Sequence, residues 1–77
     1  MEAAKEIKFE IVRKIGALSD KASGWRKELN LVAWNELEPK LDIRDWSEDH
    51  TRMGKGVTMT RDEAVKLYEV LASYLKR

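Results

Sequence analysis

The sequence contains no cysteine, and among its 77 residues it has one proline and one histidine. Without cysteine the chain forms no disulfide and offers no thiolate to a metal. His50 alone cannot build a site of several histidines. No apolar run reaches the roughly 20 residues that span a bilayer, and residues 1–6 lack the apolar core of a signal peptide. These absences favour a cytoplasmic protein without a metal site, and a length of 77 residues allows one domain at most.

Charge is segregated along the chain, although the net charge is only +1 and 38% of the residues are charged. Basic residues dominate within 8–27, and acidic residues dominate within 28–50. Arg52, Lys55 and Arg61 then follow with no acid between them. One surface can therefore be basic while the total is near neutral. The alternative is an ordinary solvated surface with no partner in particular.

No catalytic constellation is evident in the sequence. The four serines have one histidine to share, and His50 lies in a polar loop beside Asp49. Gly54-Lys55-Gly56 is far shorter than a P-loop and precedes a strand. We interpret its glycines as letting the backbone turn tightly and bring Lys55 near a ligand phosphate. The protein is therefore not expected to be an enzyme.

The pattern of apolar residues predicts four strands and one helix. From Ile7 to Leu18 apolar and charged residues alternate, which is the period of a half-buried strand. Gly16 marks a bend or bulge, and Gly24 closes a turn that returns the chain as a hairpin. Thr60 to Glu63 form a capping box that begins the helix. The predicted elements are strands at about 7–18, 25–34, 40–46 and 55–59 and a helix at about 61–76.

The predicted helix is apolar over more than half of its circumference. Its central stripe and the residues that widen it are Ala64, Val65, Leu67, Tyr68, Val70, Leu71, Ala72, Tyr74 and Leu75. A helix that covers one small sheet needs a narrower stripe. A domain of this size also buries a limited core by itself. We therefore predict a homodimer with two-fold symmetry and the C-terminal helices at its interface.

Alternation places aromatic and basic residues together on one face of the sheet. Trp34 and Trp46 share that face with Asn30, Lys40 and Arg44, opposite an aliphatic face. The aliphatic face carries Leu29, Leu31, Leu41 and Ile43. If the helix packs on the aliphatic face, the tryptophans are exposed, and aromatics among cations are typical of single-stranded nucleic-acid binding. The alternative is that the tryptophans complete the core or the dimer interface, which suits Trp25 better than the other two.

Two motifs resemble a known family. Asp42-Ile43-Arg44-Asp45-Trp46, a polar loop, Met53-Gly54-Lys55-Gly56-Val57-Thr58-Met59-Thr60 and an amphipathic helix resemble the single-stranded-DNA-binding domain of the transcriptional coactivator positive cofactor four. The whole chain is most similar to the bacterial YdbC-type members. The resemblance implies an α+β fold, with a curved four-stranded antiparallel sheet followed by one helix (β-β-β-β-α), in a homodimer. It also implies single-stranded DNA binding with little sequence preference and no cofactor.

The resemblance carries over to individual residues. It assigns the binding role to Arg44, Trp46 and Lys55, with looser matches at Trp34 and at Arg26 or Lys27. With Lys40 from the face pattern and Lys14 from the first strand, the predicted nucleic-acid-binding residues are Lys14, Arg26, Lys27, Trp34, Lys40, Arg44, Trp46 and Lys55. Transcription, replication and repair are all compatible processes, and RNA is a possible ligand. The competing hypothesis is a scaffold dimer in which the solvent-exposed face of the sheet binds an acidic protein partner.

Overall fold

The computed structural model describes residues 8–19 and 24–76. The strands are β1 (Phe9–Ala17), β2 (Trp25–Trp34), β3 (Lys40–Ser47) and β4 (Met53–Met59), and the helix is α1 (Arg61–Leu75). The predicted α+β fold of four antiparallel strands and one C-terminal helix is confirmed. The main difference in bounds is at β4, which begins at Met53 instead of residue 55.

The strands pair in the order β1-β2-β3-β4, each antiparallel to its neighbour. Residues directly opposite each other in such pairs point to the same face, so the register defines two faces. The polar-aromatic face carries Phe9, Lys14, Arg26, Glu28, Asn30, Val32, Trp34, Lys40, Asp42, Arg44, Trp46 and Thr58. The aliphatic face carries Leu29, Leu31, Leu41, Ile43, Val57 and Met59.

Irregular pairing interrupts both edge strands. In β1 the register shifts between Ile11 and Arg13 and again between Lys14 and Gly16, close to the predicted bend. In β4 it shifts opposite the stretch from Arg44 to Trp46. Such bulges bend a strand and increase its twist. Gly24, just before β2, has a φ of 90°, a left-handed conformation that favours glycine.

The most deeply buried side chains lie mainly on the polar-aromatic face. Trp46 is 0% exposed, and Val32 is equally buried. The expectation that Trp46 lies on a wet face is therefore wrong. Its indole is covered because Phe9, at the start of β1, and His50, in the turn after β3, both pack against it. Alternation correctly placed Trp46 opposite the aliphatic residues, but these neighbours exclude solvent from it.

The helix begins as predicted but covers little of the sheet. The Thr60 hydroxyl accepts from the Glu63 N–H at 3.2 Å, and the Thr60 N–H donates to the Glu63 carboxylate at 2.9 Å. On the aliphatic face, Met59 is buried, whereas Val57 is exposed. No described residue of α1 is buried. Its exposed large apolar residues are Val65, Leu67, Tyr68, Val70, Leu71, Tyr74 and Leu75. With 15 residues, α1 is too short and too charged to span a bilayer, and the described chain has no other helix.

Candidate nucleic-acid interface

A fixed arginine lies at the centre of the polar-aromatic face. The Arg44 Nε and Nη2 groups each donate to an oxygen of Asp42 at 2.8 Å, and Nη1 donates to the Gly54 carbonyl at 3.2 Å. The guanidinium carbon lies 4.6 Å from the centre of the Trp34 ring. Bidentate pairs of this kind are strong and directional. Arg44 is thus held over the indole, and its side chain is only 14% exposed.

Asp42 is fully buried and paired on both oxygens. Besides Arg44, it accepts a hydrogen bond from the Thr58 hydroxyl at 2.9 Å. A buried carboxylate needs such partners, because removing it from water is costly. Asp42 therefore belongs to the scaffold of this face, and its charge balances that of Arg44.

Gly56 makes room for this arginine. A Cβ at position 56 would collide with the Arg44 side chain, whose Nε would be 2.8 Å away, and with the Ile43 carbonyl oxygen. A Cβ at Gly54 would meet only an ordinary contact, 3.5 Å from the Asp45 Cβ. Both glycines lie within β4, and neither has a positive φ. The interpretation of this segment as a tight turn is therefore wrong: Gly56 accommodates a neighbouring side chain.

Four rings form an aromatic cluster at one end of the same face. Phe9 lies 6.0 Å from Trp34 and 5.2 Å from Trp46 between ring centres, and His50 lies 5.6 Å from Trp46. Tilted contacts at these distances are favourable for aromatic pairs. The Nε1 atoms of Trp34 and Trp46 are buried and have no hydrogen-bond partner among the described residues. The cluster is thus held by packing, without hydrogen bonds from its indoles.

A second buried carboxylate lies beside this cluster. Glu28 is 4% exposed and accepts from Asn30 Nδ2 at 3.1 Å, from Arg26 Nε at 3.3 Å and from His50 Nε2 at 3.0 and 3.1 Å. Burial opposes ionisation, but the hydrogen bonds from Asn30, His50 and Arg26 outweigh it and lower the pKa of Glu28. His50 reaches Glu28 from a left-handed backbone position with a φ of 60°. The network joins the β3–β4 turn to β2.

The turn that carries His50 is itself ordered by hydrogen bonds. The Asp49 carboxylate accepts from the Thr51 hydroxyl at 2.7 Å, from the Thr51 N–H at 3.1 Å and from the Ser47 hydroxyl at 3.0 Å. These bonds lower the pKa of Asp49. Arg52 follows, with its guanidinium 5.8 Å from the centre of the Trp25 ring. The polar loop of the sequence is thus a defined turn that presents His50 to the sheet.

Comparison with known proteins fits this arrangement of sheet, helix and basic aromatic face. Residues 21–70 match the family described as transcriptional coactivator p15 (PC4). The chain belongs to this family. An uncharacterized protein of Treponema pallidum (strain Nichols) is 48% identical over 65 residues, which cover 84% of this chain and 76% of that protein. The resemblance to positive cofactor four is therefore confirmed. The PC4 family is one of single-stranded-DNA-binding coactivator domains.

The structure places the predicted site residues in four settings. Lys14, Arg26 and Lys40 share the polar-aromatic face with Trp34 and Arg44. Lys27 lies on the opposite side of β2, where its Nζ donates to Asp45 at 3.2 Å. Lys55 is exposed on β4, at the bulge. Trp46 belongs to the core of this PC4-family domain.

Sequence reasoning missed three residues of this arrangement. Phe9 and His50 complete the aromatic cluster, and Glu28 pairs with Arg26 on the PC4-type face. A signal for Glu28 was available, because it lies two residues from Arg26 on the same face of β2. No comparable signal pointed to His50, whose contact with Glu28 depends on the conformation of the turn.

A cleft of about 550 Å³ lies where the edge of the sheet meets the start of α1. Its apolar lining includes Leu31, Leu41 and Met59 of the aliphatic face. Its cations are Arg13, Lys14, Lys40 and Arg61. A recess of this composition suits an acidic ligand with an apolar part.

Proposed function

We propose that this protein binds single-stranded DNA with little sequence preference through the polar-aromatic face. The observation that carries the proposal is that Lys14, Arg26 and Lys40 share one face with the Phe9–Trp34 aromatic pair, in a chain of the PC4 family. Bases stack on aromatic side chains while cations hold the phosphates, and neither contact reads sequence. RNA would be bound by the same contacts.

The geometry favours different roles for the proposed residues. Phe9 and Trp34 are half-buried and are the rings on which bases would stack. Trp46 supports them from within the core, and stacking on it would require Phe9 or His50 to move. Because Asp42 balances its charge, Arg44 contributes mainly an ordered guanidinium above Trp34.

The phosphate contacts fall to the less constrained cations. Lys14 and Lys40 are exposed and have no ion pair among residues 8–19 and 24–76. Lys55 would act at the β4 edge. Lys27 is the least favoured member of the predicted set, because it faces away and pairs with Asp45. The strand would therefore run across the sheet, from the edge at Lys14 towards Lys55.

We also propose that two copies pair through α1 and the aliphatic face. Soluble single chains rarely leave a large contiguous apolar surface uncovered. Here α1 exposes apolar residues such as Leu71 and Tyr68, and the aliphatic face of the sheet is only half-buried. A two-fold dimer would cover both surfaces and leave the two polar-aromatic faces free for DNA.

The cationic cleft supports a second candidate function, binding of an acidic protein segment. Its cations surround an apolar floor, so an acidic amphipathic peptide would be matched in both charge and hydropathy. The floor of this site lies on the aliphatic face, but Lys14 and Lys40 belong to both sites, so the two ligands would compete for these cations. The PC4-family membership favours the first candidate, and both ligands can be compared on the same protein.

Tryptophan fluorescence titrated with oligo-dT tests the proposal. We expect quenching on binding and a linear fall of the logarithm of affinity with the logarithm of salt concentration, because bound cations release counterions. Lys14→Gln and Lys40→Gln should each reduce the magnitude of that slope by about 0.7, the value for one phosphate contact with a single strand. Phe9→Leu should weaken binding without changing the slope, because it removes stacking and no charge.

Arg61→Gln is the matched control, since it removes one cation from the cleft and none from the polar-aromatic face. It should leave oligo-dT affinity unchanged and weaken the binding of an acidic peptide such as oligoglutamate. If the folded protein neither quenches nor shifts oligo-dT at low salt, single-stranded DNA binding is refuted. Equal affinity for duplex DNA would contradict the stacking mechanism.

A further inference from the structure

We infer that His50 is a positioning residue for nucleic-acid binding, which keeps the Glu28 carboxylate paired while Arg26 leaves it for a phosphate of the strand. This inference rests on the proposed function. In this role His50 makes no direct contact with the ligand and acts through Glu28 and Arg26.

The three hydrogen-bond partners of Glu28 are not held equally. His50 bridges both carboxylate oxygens at 3.0 and 3.1 Å, and Asn30 donates to one of them at 3.1 Å. The Arg26 contact is the longest, at 3.3 Å, and only its Nε takes part. Within the described chain its two Nη groups have no partner. Arg26 is therefore the partner most easily exchanged.

The exposed fractions of the two side chains also indicate that Arg26 is the partner most easily exchanged. The Arg26 side chain is 41% exposed, whereas that of Glu28 is 6% exposed. A phosphate approaching this face can meet the free Nη groups of Arg26 without displacing a core residue. The Glu28 carboxylate cannot follow the arginine to the surface. It would keep its charge in a buried site, which is unfavourable unless another cation replaces the arginine.

His50 is the group that can supply this replacement. Its Nε2 faces an ionised carboxylate and therefore donates a hydrogen, in the neutral or the protonated ring. Imidazoles change charge between pH 5 and 8. When Arg26 turns to a phosphate, the protonated ring restores neutrality at Glu28, so binding takes up a proton.

The other charged groups near Glu28 are less suited to this role. Lys14 of β1 lines the same recess as Arg26 and Glu28, but it is exposed and free to meet phosphate itself. Arg44 lies opposite Glu28 in the register, yet it is fixed to Asp42 by two 2.8 Å bonds.

The acidic residue next to His50 in the turn, Asp49, already has its own hydrogen-bond partners. Asp49 accepts its hydrogen bonds from Ser47 and Thr51. Among the groups contacting His50, Glu28 is the one whose charge would respond to the imidazolium. Trp46 stacks against the ring and carries no charge.

The first test measures oligo-dT affinity between pH 5.5 and 8 at fixed ionic strength. We expect affinity to fall as pH rises, by up to about tenfold for each pH unit, the limit for one linked proton. His50→Gln and Arg26→Gln should both flatten this profile, because either change abolishes the exchange. Lys40→Gln should weaken binding at every pH and keep the wild-type profile.

The second test needs no nucleic acid. The titration midpoint of the His50 ring, followed by NMR in the free protein, should move to higher pH in Arg26→Gln, because Glu28 then relies on His50 alone. Lys40→Gln should not move it. An unchanged midpoint in Arg26→Gln, or a flat wild-type profile with intact binding, would overturn the inference. Failure to bind oligo-dT at any pH refutes the proposed function, while the free-protein titration still decides whether the three residues are coupled.

Discussion

The two faces of this sheet are stabilised in different ways. On the polar-aromatic face, Trp46 is fully buried and each buried carboxylate has its partners within the chain: Asp42 with Arg44, and Glu28 with His50. On the aliphatic face, most residues are only half-buried, and the helix beside them has no buried residue. The polar face is completed by one chain, whereas the apolar face has the composition of a surface that a second chain would complete.

The contrast between the two faces is one between two types of interaction. Buried hydrogen bonds and ion pairs are directional, so they fix the positions of side chains such as Arg44. Apolar contacts stabilise in proportion to area and specify position less strictly. A face that must present ordered cations to a ligand therefore relies on hydrogen bonds and ion pairs. A face that joins two copies can rely on apolar contacts.

The largest expected effect concerns the apolar face. Leu71→Lys places a charge in the middle of the apolar surface of α1, so a dimer formed there should dissociate and its sedimentation mass should halve. Because Leu71 is 45% exposed within one chain, the fold of that chain should tolerate the change. Ser73→Lys, on the polar side of the same helix, is the control and should leave the mass unchanged. A monomeric wild-type protein at micromolar concentration would contradict the proposed dimer.

The next effect concerns the aromatic cluster. Trp46→Ala removes a fully buried indole and should lower the free energy of unfolding by about 3–5 kcal/mol. Trp25→Ala, at a half-buried ring near Arg52, should cost clearly less. Urea unfolding followed by circular dichroism measures both. Equal losses at the two positions would mean that Trp46 is not the centre of the core.

Local patterns in the sequence predict the α+β topology, the strand pairing around the hairpins and the capping box at Thr60. Alternation of apolar and polar residues correctly assigned residues to the two faces of the sheet. Which face is buried could not be predicted in this way. Alternation states which side chains lie together but does not report what covers them. Trp46 is covered by Phe9, from a distant strand, and by His50, from a turn with a left-handed residue. Both depend on tertiary structure.

The same limit applies to the candidate site. The motif around Arg44 and Lys55 suggested the family, and the family matched. It did not decide which cation pairs with Asp42, and it did not reveal that Gly56 accommodates the Arg44 side chain. The spacing of residues in the sequence indicates which side chains are close to each other. Which charged groups form ion pairs depends on the side-chain rotamers in the packed structure.

A smaller effect separates the two glycines of β4. Gly56→Ala should destabilise the protein by roughly 1–3 kcal/mol, because the new methyl group overlaps Arg44 and a backbone oxygen that cannot move far. Gly54→Ala meets only an ordinary contact and should change stability little. Since Gly56→Ala displaces Arg44 from Trp34, it should also weaken oligo-dT binding. If both variants behave alike, Gly56 has no special role in placing Arg44.

The smallest effect should come from Glu28→Gln, which tests whether the polar face depends on charge. Hydrogen bonds lower the pKa of Glu28 from its ordinary value of 4.5, so its ionised form stabilises the folded state. That contribution is present above about pH 4.5 and is lost as pH falls through the lowered value. At pH 7 the variant should be less stable by on the order of 1 kcal/mol, the net value of a typical hydrogen bond.

The difference between wild type and Glu28→Gln should shrink as the pH falls below 4.5 and through the lowered pKa of Glu28, because the wild-type carboxyl then becomes protonated too. Thermal unfolding at pH 7, 4.5 and 3 measures the difference. A gap that stays constant across this range would mean that the Glu28 carboxylate acts through its shape alone. A gap that closes would establish that the polar-aromatic face is held by charge, as the aliphatic face is not.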